Sequence, residues 1–343
     1  MKKDYWKGRF DQIEQAANNQ AVDYYHQLER KYEKAMRNVE NKIAVWYQRF
    51  AVNNNITVEQ AKKLLNAKEL KELQWDVFDY IKYGEQNAID GKWMKELENA
   101  SAKFHINRLE ALKLQCRQDI EVLTGGMVDD VDDMLRSIYT DTYYRSIFEI
   151  QKGIGIGFDV GSINEKQLAV LIKKPWTIDG VNFSENLWKN KTKLINVLYQ
   201  ELNQMVMTGI APQKTIANVQ KAMQTSKSNA VRLVMTEQAY FTTVAQKDCF
   251  KELDVEEFEV VATLDGVTCN KCGGRDGEHY PVKYMETGVN APPFHPYCRC
   301  TTCPYFDDMD GYRASRNEAN KTVFEFPANI KYPEWKKQFI GGE

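Results

Sequence analysis

Thr263-Leu-Asp-Gly-Val-Thr-Cys269-Asn-Lys-Cys272-Gly-Gly-Arg-Asp-Gly-Glu-His-Tyr280, followed by Pro292-Pro-Phe-His295-Pro-Tyr-Cys298-Arg-Cys300-Thr-Thr-Cys303, is the stretch that decides the fold of this chain. Of the 7 cysteines and 4 histidines in the whole sequence, five and two fall here. Thiolates in a Cys-x-x-Cys pair can grip one tetrahedral zinc across a tight turn, and a second donor pair downstream closes the loop between them. Cys269 and Cys272 form the first pair. The second comes from His295, Cys298 and Cys300, with Cys303 in reserve; donors separated by one residue reach the same ion where the backbone between them is extended. His279, beside Gly277, reads as an exposed turn residue before it reads as a ligand.

Two other readings compete with zinc. Reduced cysteines are commonly buried singly as small apolar groups, which does not account for five of them among Gly, Pro and charged residues. Disulfides belong to oxidising compartments, and the opening Met1-Lys-Lys-Asp-Tyr-Trp-Lys7 has no apolar signal region, so a reducing compartment is expected. Cys116 and Cys249 lie in helical patterns and read as ordinary core or surface thiols.

The 343 residues suffice for two or three domains with their own cores. A charged fraction of 27% suits long solvated helices, and a formal net charge of −2 gives no global pull toward DNA or an anionic membrane. No apolar run approaches the roughly 18–20 residues of a spanning helix.

Upstream of the cysteines the pattern is helical. From about Asp4 to Val52 a polar segment carries Leu28, Tyr32, Ala35, Val39, Ile43, Trp46, Tyr47 and Phe50 at spacings of threes and fours, an apolar stripe on a charged rod. Asn53-Asn-Asn55 breaks it, and Thr57-Val-Glu-Gln60 reads as a capping box. Further helices are predicted from Glu69 to Tyr83, Lys92 to Leu123 and Val128 to Lys152, with Gly84, Gly91 and Gly125-Gly126 as stops. Trp6, Trp46, Trp75 and Trp93 read as core ahead of partner contacts.

Gly153-Ile-Gly-Ile-Gly157 is the expected hinge. It is no nucleotide loop, because a helical pattern precedes it and no Lys-Ser/Thr follows. Asp179-Gly180 signals a hairpin and Ser184 an N-cap. A helix then runs from Glu185 to Thr208 and ends at Gly209 with Pro212 beyond; a short helix leads to a cap at Ser226-Lys-Ser228, and another continues to Glu252, with Val231, Val234, Met235, Gln238, Phe241 and Ala245 on one face. Phe258, Val260, Ala262 and Leu264 alternate as a strand that delivers the chain into Cys269.

The fold class is therefore mainly α: an elongated helical N-terminal region followed by an α+β module with a C-terminal zinc knuckle. The expected segments are 1–152 (elongated helical region), 153–257 (helical part of the module), 258–303 (strand and knuckle) and 304–343 (tail).

Pro175-Trp-Thr to Asn-Leu-Trp188, the Arg232-Leu-Val-Met-Thr-Glu237 helix and the two cysteine stretches together resemble the minor head, or head morphogenesis, proteins of tailed bacteriophages, the Mu F-type family. The resemblance covers roughly residues 170–303; the first half matches in general character and in its Tyr5-Trp6 opening. It implies a low-copy structural virion protein made in the host bacterial cytoplasm and lodged at the portal vertex and capsid interior. Its partners would be the portal protein and capsid or scaffold proteins, with packaged DNA as a further contact, and its roles head assembly and genome delivery without catalysis.

A structural zinc fits this, because four protein donors leave no position for an activated water. Arg299 is expected either to offset the thiolates or to be solvated, and Thr236-Glu237 either to anchor the knuckle or to face water. The rival is a zinc-dependent nuclease or hydrolase in which Asp276, Glu278, His279 or His295 activates water. The chain has neither the His-Glu-x-x-His helix nor the deaminase order of motifs. The second rival, a DNA-binding zinc knuckle, needs a basic surface. Lys271, Arg275, Lys283 and Arg299 are instead nearly balanced by Asp265, Asp276, Glu278 and Glu286.

Overall fold

The computed structural model describes residues 4–50, 58–86, 95, 106–177, 179–265, 267–306 and 323–325. They are mainly helical, with a small antiparallel sheet near the C-terminus. The expected features at Asn53–Asn55, Thr57, Gly91 and Trp93, and most of the tail 304–343, lie outside the described residues.

Helix α1 runs Asp4–Phe50. Its stripe is buried at Leu28, Tyr32, Ala35, Val39, Ile43 and Trp46, and extends N-terminally through Tyr24, Ala21, Ala17, Phe10 and Trp6. This is what a period of 3.6 residues requires. After the short α2 (Val58–Lys62), α3 spans Ala67–Gln86 and passes through Gly84, the expected stop. Asn66 caps α3 by accepting from the amides of Lys68 and Glu69, and the Glu69 carboxylate returns to the Asn66 amide at 2.9 Å. Leu73 and Val77 of α3 pack with Ile106 and Ala111 in a small core. Trp75 breaks the expectation of a core residue: it is 75% exposed, with Phe78 exposed one turn on.

Helix α4 runs without a break from Arg108 to Ile154, started by an Asn107–Glu110 capping box. Gly125-Gly126 therefore do not stop it. Two interior glycines cost about 1 kcal/mol each relative to alanine, which is less than burial of Leu123, Met127, Val131 and Leu135 returns.

Gly153, expected in a hinge, is buried in the last turn of α4. A Cβ there would stand 2.2 Å from the Trp6 ring, so glycine is required by close approach and not by flexibility. Ile156–Phe158 forms β1, paired antiparallel with β5 (Val323–Glu325).

Helix α5 (Glu165–Lys173) is capped by Asn164. Thr177 and Gly180 close a turn at Asp179-Gly180, but no strands flank it among the described residues, so the hairpin is not formed. Helix α6 (Phe183–Thr208) is capped by Asn182, not Ser184, and ends at Gly209 in the left-handed conformation (φ 64°), where glycine carries no steric penalty.

Helix α7 is continuous over Pro212–Glu252. Ser226 and Ser228 sit inside it, Ser226 bonded to Tyr32 (3.0 Å) and Ser228 to the carbonyl of Gln224. No cap is needed where a helix continues.

The sheet has the order β3-β2-β4, with β2 at Glu257–Val261, β3 at His279–Pro281 and β4 at Thr301–Tyr305. β2 is covered on both faces, so four consecutive residues from Phe258 to Val261 are buried instead of alternating, and Leu264 is exposed beyond its end. The buried Glu259 is paired with Lys7 at 2.7 Å.

By contact the chain forms two compact units, each discontinuous in sequence. One comprises residues 1–24, 132–174 and 232–343; the other comprises 25–131 and 175–231. This division differs from the linear segments expected from the sequence. In the first unit Trp6 and Phe10 share a core with Tyr144, Phe250, Phe258 and Cys298. The second is tied by polar pairs, among them Lys42–Asp119 at 2.6 Å and Lys191–Glu121 at 2.8 Å.

Candidate metal centre

The Cys-x-x-Cys pair lies on a one-turn helix, α8 (Asn270–Gly273), with Cys269 at its N-cap. The amides of Cys272 and Gly273 both donate to the Cys269 carbonyl (3.1 and 2.9 Å), and Cys272 N also points at Cys269 Sγ (3.4 Å). The loop feeding this turn is stitched by Thr268, whose hydroxyl donates to the Thr263 carbonyl and accepts from the Asp265 amide. Downstream, Tyr297 is held at φ 60° and the Cys298 amide donates to the His295 carbonyl, which folds the closing segment back over the first pair.

His295 Nε2 stands 3.0 Å from Cys272 Sγ and 3.3 Å from Cys269 Sγ, and Cys272 and Cys298 sulfurs are 3.8 Å apart. Donors about 2.3 Å (sulfur) and 2.0 Å (nitrogen) from a tetrahedral zinc stand about 3.8 Å apart for two sulfurs and about 3.5 Å for sulfur and nitrogen. The thiol pair already has that spacing, and the imidazole is somewhat closer. His295 Nδ1 lies 2.7 Å from the Pro296 carbonyl. A carbonyl only accepts, so Nδ1 carries a proton, and Nε2 is the nitrogen left to ligate a metal.

Two donor groups result, Cys269–Cys272–His295 and Cys272–Cys298–Cys300, with ligand atoms within 4.8 Å of one another in each. Cys272 belongs to both. All five residues singled out in the sequence are thus brought together. Cys303 is not: it sits in β4 opposite Glu259.

A side-chain hydrogen bond from Cys300 holds the Cys298 thiol down at about 5, and the same hydrogen bond pushes Cys300 up. Burial pushes Cys272 up to about 12, whereas the Cys272 amide lowers Cys269. A bound divalent cation would deprotonate its thiol ligands outright. Cys116 and Cys249 are core thiols with no exposed surface, and burial raises both.

Of the groups named for water activation, His295 lies in the cluster as a donor, and the other three stand outside both donor groups. Asp276 Oδ1 accepts from the Ala262 amide (2.9 Å), Glu278 accepts from the Tyr280 hydroxyl, and neither residue belongs to a donor group. His279 is a strand residue and not a turn residue, bonded to Glu257 (2.9 Å) and stacked on Tyr305. Arg299 neither floats free nor faces the thiolates first: both its terminal nitrogens bond the Asp265 carboxylate, at 2.6 and 2.8 Å. That guanidinium holds Asp265 far below the usual carboxylate range. Of the undecided pair on α7, Thr236 bonds back to the Arg232 carbonyl and Glu237 is buried.

Sequence reasoning missed the supports. Lys271 donates to the Phe294 carbonyl (2.7 Å) and Thr263 to the Arg299 carbonyl (2.7 Å), joining the two cysteine stretches. Glu14 of α1, 5% exposed, has one carboxylate oxygen with no hydrogen-bond partner. Burial, above all, pushes its carboxyl up to about 8 from 4.5.

The native state therefore keeps a proton that the unfolded chain releases. The linked stability is fully present below about pH 4.5 and is lost as pH rises through about 8. Glu14→Gln is expected to leave stability unchanged near pH 4 and to raise it by about 3 kcal/mol at pH 7, read as a growing difference in melting temperature. A difference that did not vary with pH would refute the assignment.

The fold and cluster define a mainly helical protein with a small sheet and, in the turns and loops beside it, a Cys/His donor site. Residues 196–303 match the family model described as phage Mu protein F like protein. That segment, less than half of the chain, runs from α6 through α7 and the knuckle to Cys303, and supports the minor head protein family. No curated protein and no solved structure matches the chain. No helix among the described residues is long and apolar enough to cross a membrane.

Proposed function

We propose that this chain is a structural minor head protein that sits at the portal vertex on the inner side of the capsid, contacts portal and capsid or scaffold proteins, and acts in head morphogenesis and genome delivery. The observation that carries this is the family match over residues 196–303, which ends on the cysteine cluster itself. Within that segment Cys269, Cys272, His295 and Cys298 hold one zinc, with Cys300 beside them as the competing fifth donor. Four protein ligands close the coordination sphere, so the metal orders the loop and offers no place to a reacting water. The near balance of charge around the knuckle makes packaged DNA a secondary contact at most.

The test uses the full chain and the portal protein of the same phage. Co-purification and incorporation into heads are expected; failure of both overturns the assignment. His279→Ala, and Asp276→Asn, which keeps the acceptor for Ala262, are expected to leave infectivity unchanged. Normal incorporation with lost infectivity in either variant would instead indicate chemistry at the metal.

A further inference from the structure

Gln246 lies on α7 with no exposed surface. Both ends of its amide are committed to β4. Its Nε2 donates to Thr301 Oγ1 at 2.8 Å, and its Oε1 accepts from the Thr302 amide at 3.2 Å and from Thr302 Oγ1 at 2.7 Å. Among the described residues β4 pairs only with β2, in the order β3-β2-β4, and Gln246 bonds the edge that β2 does not cover.

Thr301 and Thr302 follow Cys300 directly. Cys269 and Cys272 ride on their own helical turn, but residues 298–300 belong to no helix or strand, and regular structure resumes only at Thr301. The closing segment is held at its middle by Thr263 on the Arg299 carbonyl and at its exit by Gln246.

We propose that Gln246 is a positioning residue of the metal centre. By tying β4 to α7 it fixes where Cys298 and Cys300 present their sulfurs to Cys269, Cys272 and His295; the inference rests on the zinc reading above. A buried amide whose partners all lie on one short stretch is either bonded or not. An apolar side chain of similar volume would leave the Thr302 amide and two hydroxyls unpaired, and the strand would shift to satisfy them. Sulfurs displaced by a fraction of an ångström still neighbour one another, but no longer match a tetrahedron.

The test uses the full-length protein with cobalt(II) as the probe, because its absorption bands report tetrahedral geometry and thiolate ligation directly. Gln246→Leu is expected to weaken cobalt binding about 10–100-fold, as loss of outer support to metal ligands typically does, and to diminish the thiolate-to-cobalt bands. Gln246→Glu keeps the acceptor for Thr302 and should fall between Gln246→Leu and the wild type, so it carries the test if the leucine variant does not fold. Thr302→Val should weaken binding less than Gln246→Leu and add little to it in the double variant. Leu202→Ala, a buried α6 residue of the other unit, supplies a loss of stability away from the metal and should keep the wild-type spectrum.

The inference is overturned if the Gln246 variants keep wild-type affinity and bands, or if Leu202→Ala weakens cobalt binding as much at an equal loss of melting temperature. Absence of tetrahedral bands in the wild type would remove the zinc reading and this inference with it. A normal wild-type spectrum unaltered at Gln246 removes the inference alone.

Discussion

Cys272→Ser is expected to yield a protein without zinc in which the segment from Thr263 to Cys300 is no longer ordered. Cys272 is the one donor common to both groups, so its loss leaves only His295 and Cys269 on one side and Cys298 and Cys300 on the other. Structural zinc contributes apparent binding free energies of about 10–16 kcal/mol in small sites. That is comparable with the whole stability of a domain, about 5–15 kcal/mol, so local adjustment cannot absorb it. Elemental analysis and trypsin digestion read the two consequences. Cys303→Ser, which alters a buried sulfur outside both groups, should keep its metal. Wild-type protein that stayed protease-resistant and metal-free after chelation would defeat the zinc assignment.

Trp6→Ala is the second large effect, at about 3–5 kcal/mol for removal of a buried aromatic side chain. Trp6 is buried against Tyr5, Phe306 and Gly153, in the core that also holds Phe250, Phe258 and Cys298. Denaturation followed by near-ultraviolet dichroism and by cobalt absorbance should therefore shift together. Gly153→Val attacks the same contact from the other side by overpacking, at about 1–3 kcal/mol. Because the two changes share one contact, their effects should not add. Cobalt absorbance that survives to the wild-type midpoint in Trp6→Ala would separate the first turns of α1 from the core that holds the cysteine cluster.

What could be read in the sequence is what depends on neighbours along the chain. The stripe from Leu28 to Trp46 is a period of 3.6, and a helix buries such a stripe whatever it packs against. Gly209 ends α6 because a left-handed residue there needs no distant partner. The errors arose where distant contacts outweigh local preference. Gly125-Gly126 are weak helix residues in a helix that buries both its neighbours, and Ser226 finds Tyr32 instead of a helix end. Phe258 to Val261 fail to alternate because packing covers both faces of β2.

The candidate donors were legible in the sequence, since Cys-x-x-Cys and His-Pro-x-Cys-Arg-Cys carry their chemistry within a few residues, as were the mainly helical class and the family resemblance. Only the tertiary structure decided which donors meet. Cys269 and His295 are 26 positions apart, and nothing in either stretch says that Cys300 joins them while Cys303 turns away into β4. It also decided that the opening turns of α1 belong with the knuckle, and that Gln246 bonds the strand that follows it. A buried polar residue on a helix has the same sequence signature as an exposed one. Its role is set by the partner that packing delivers, and that partner lies some 55 residues away for Gln246 and Thr301.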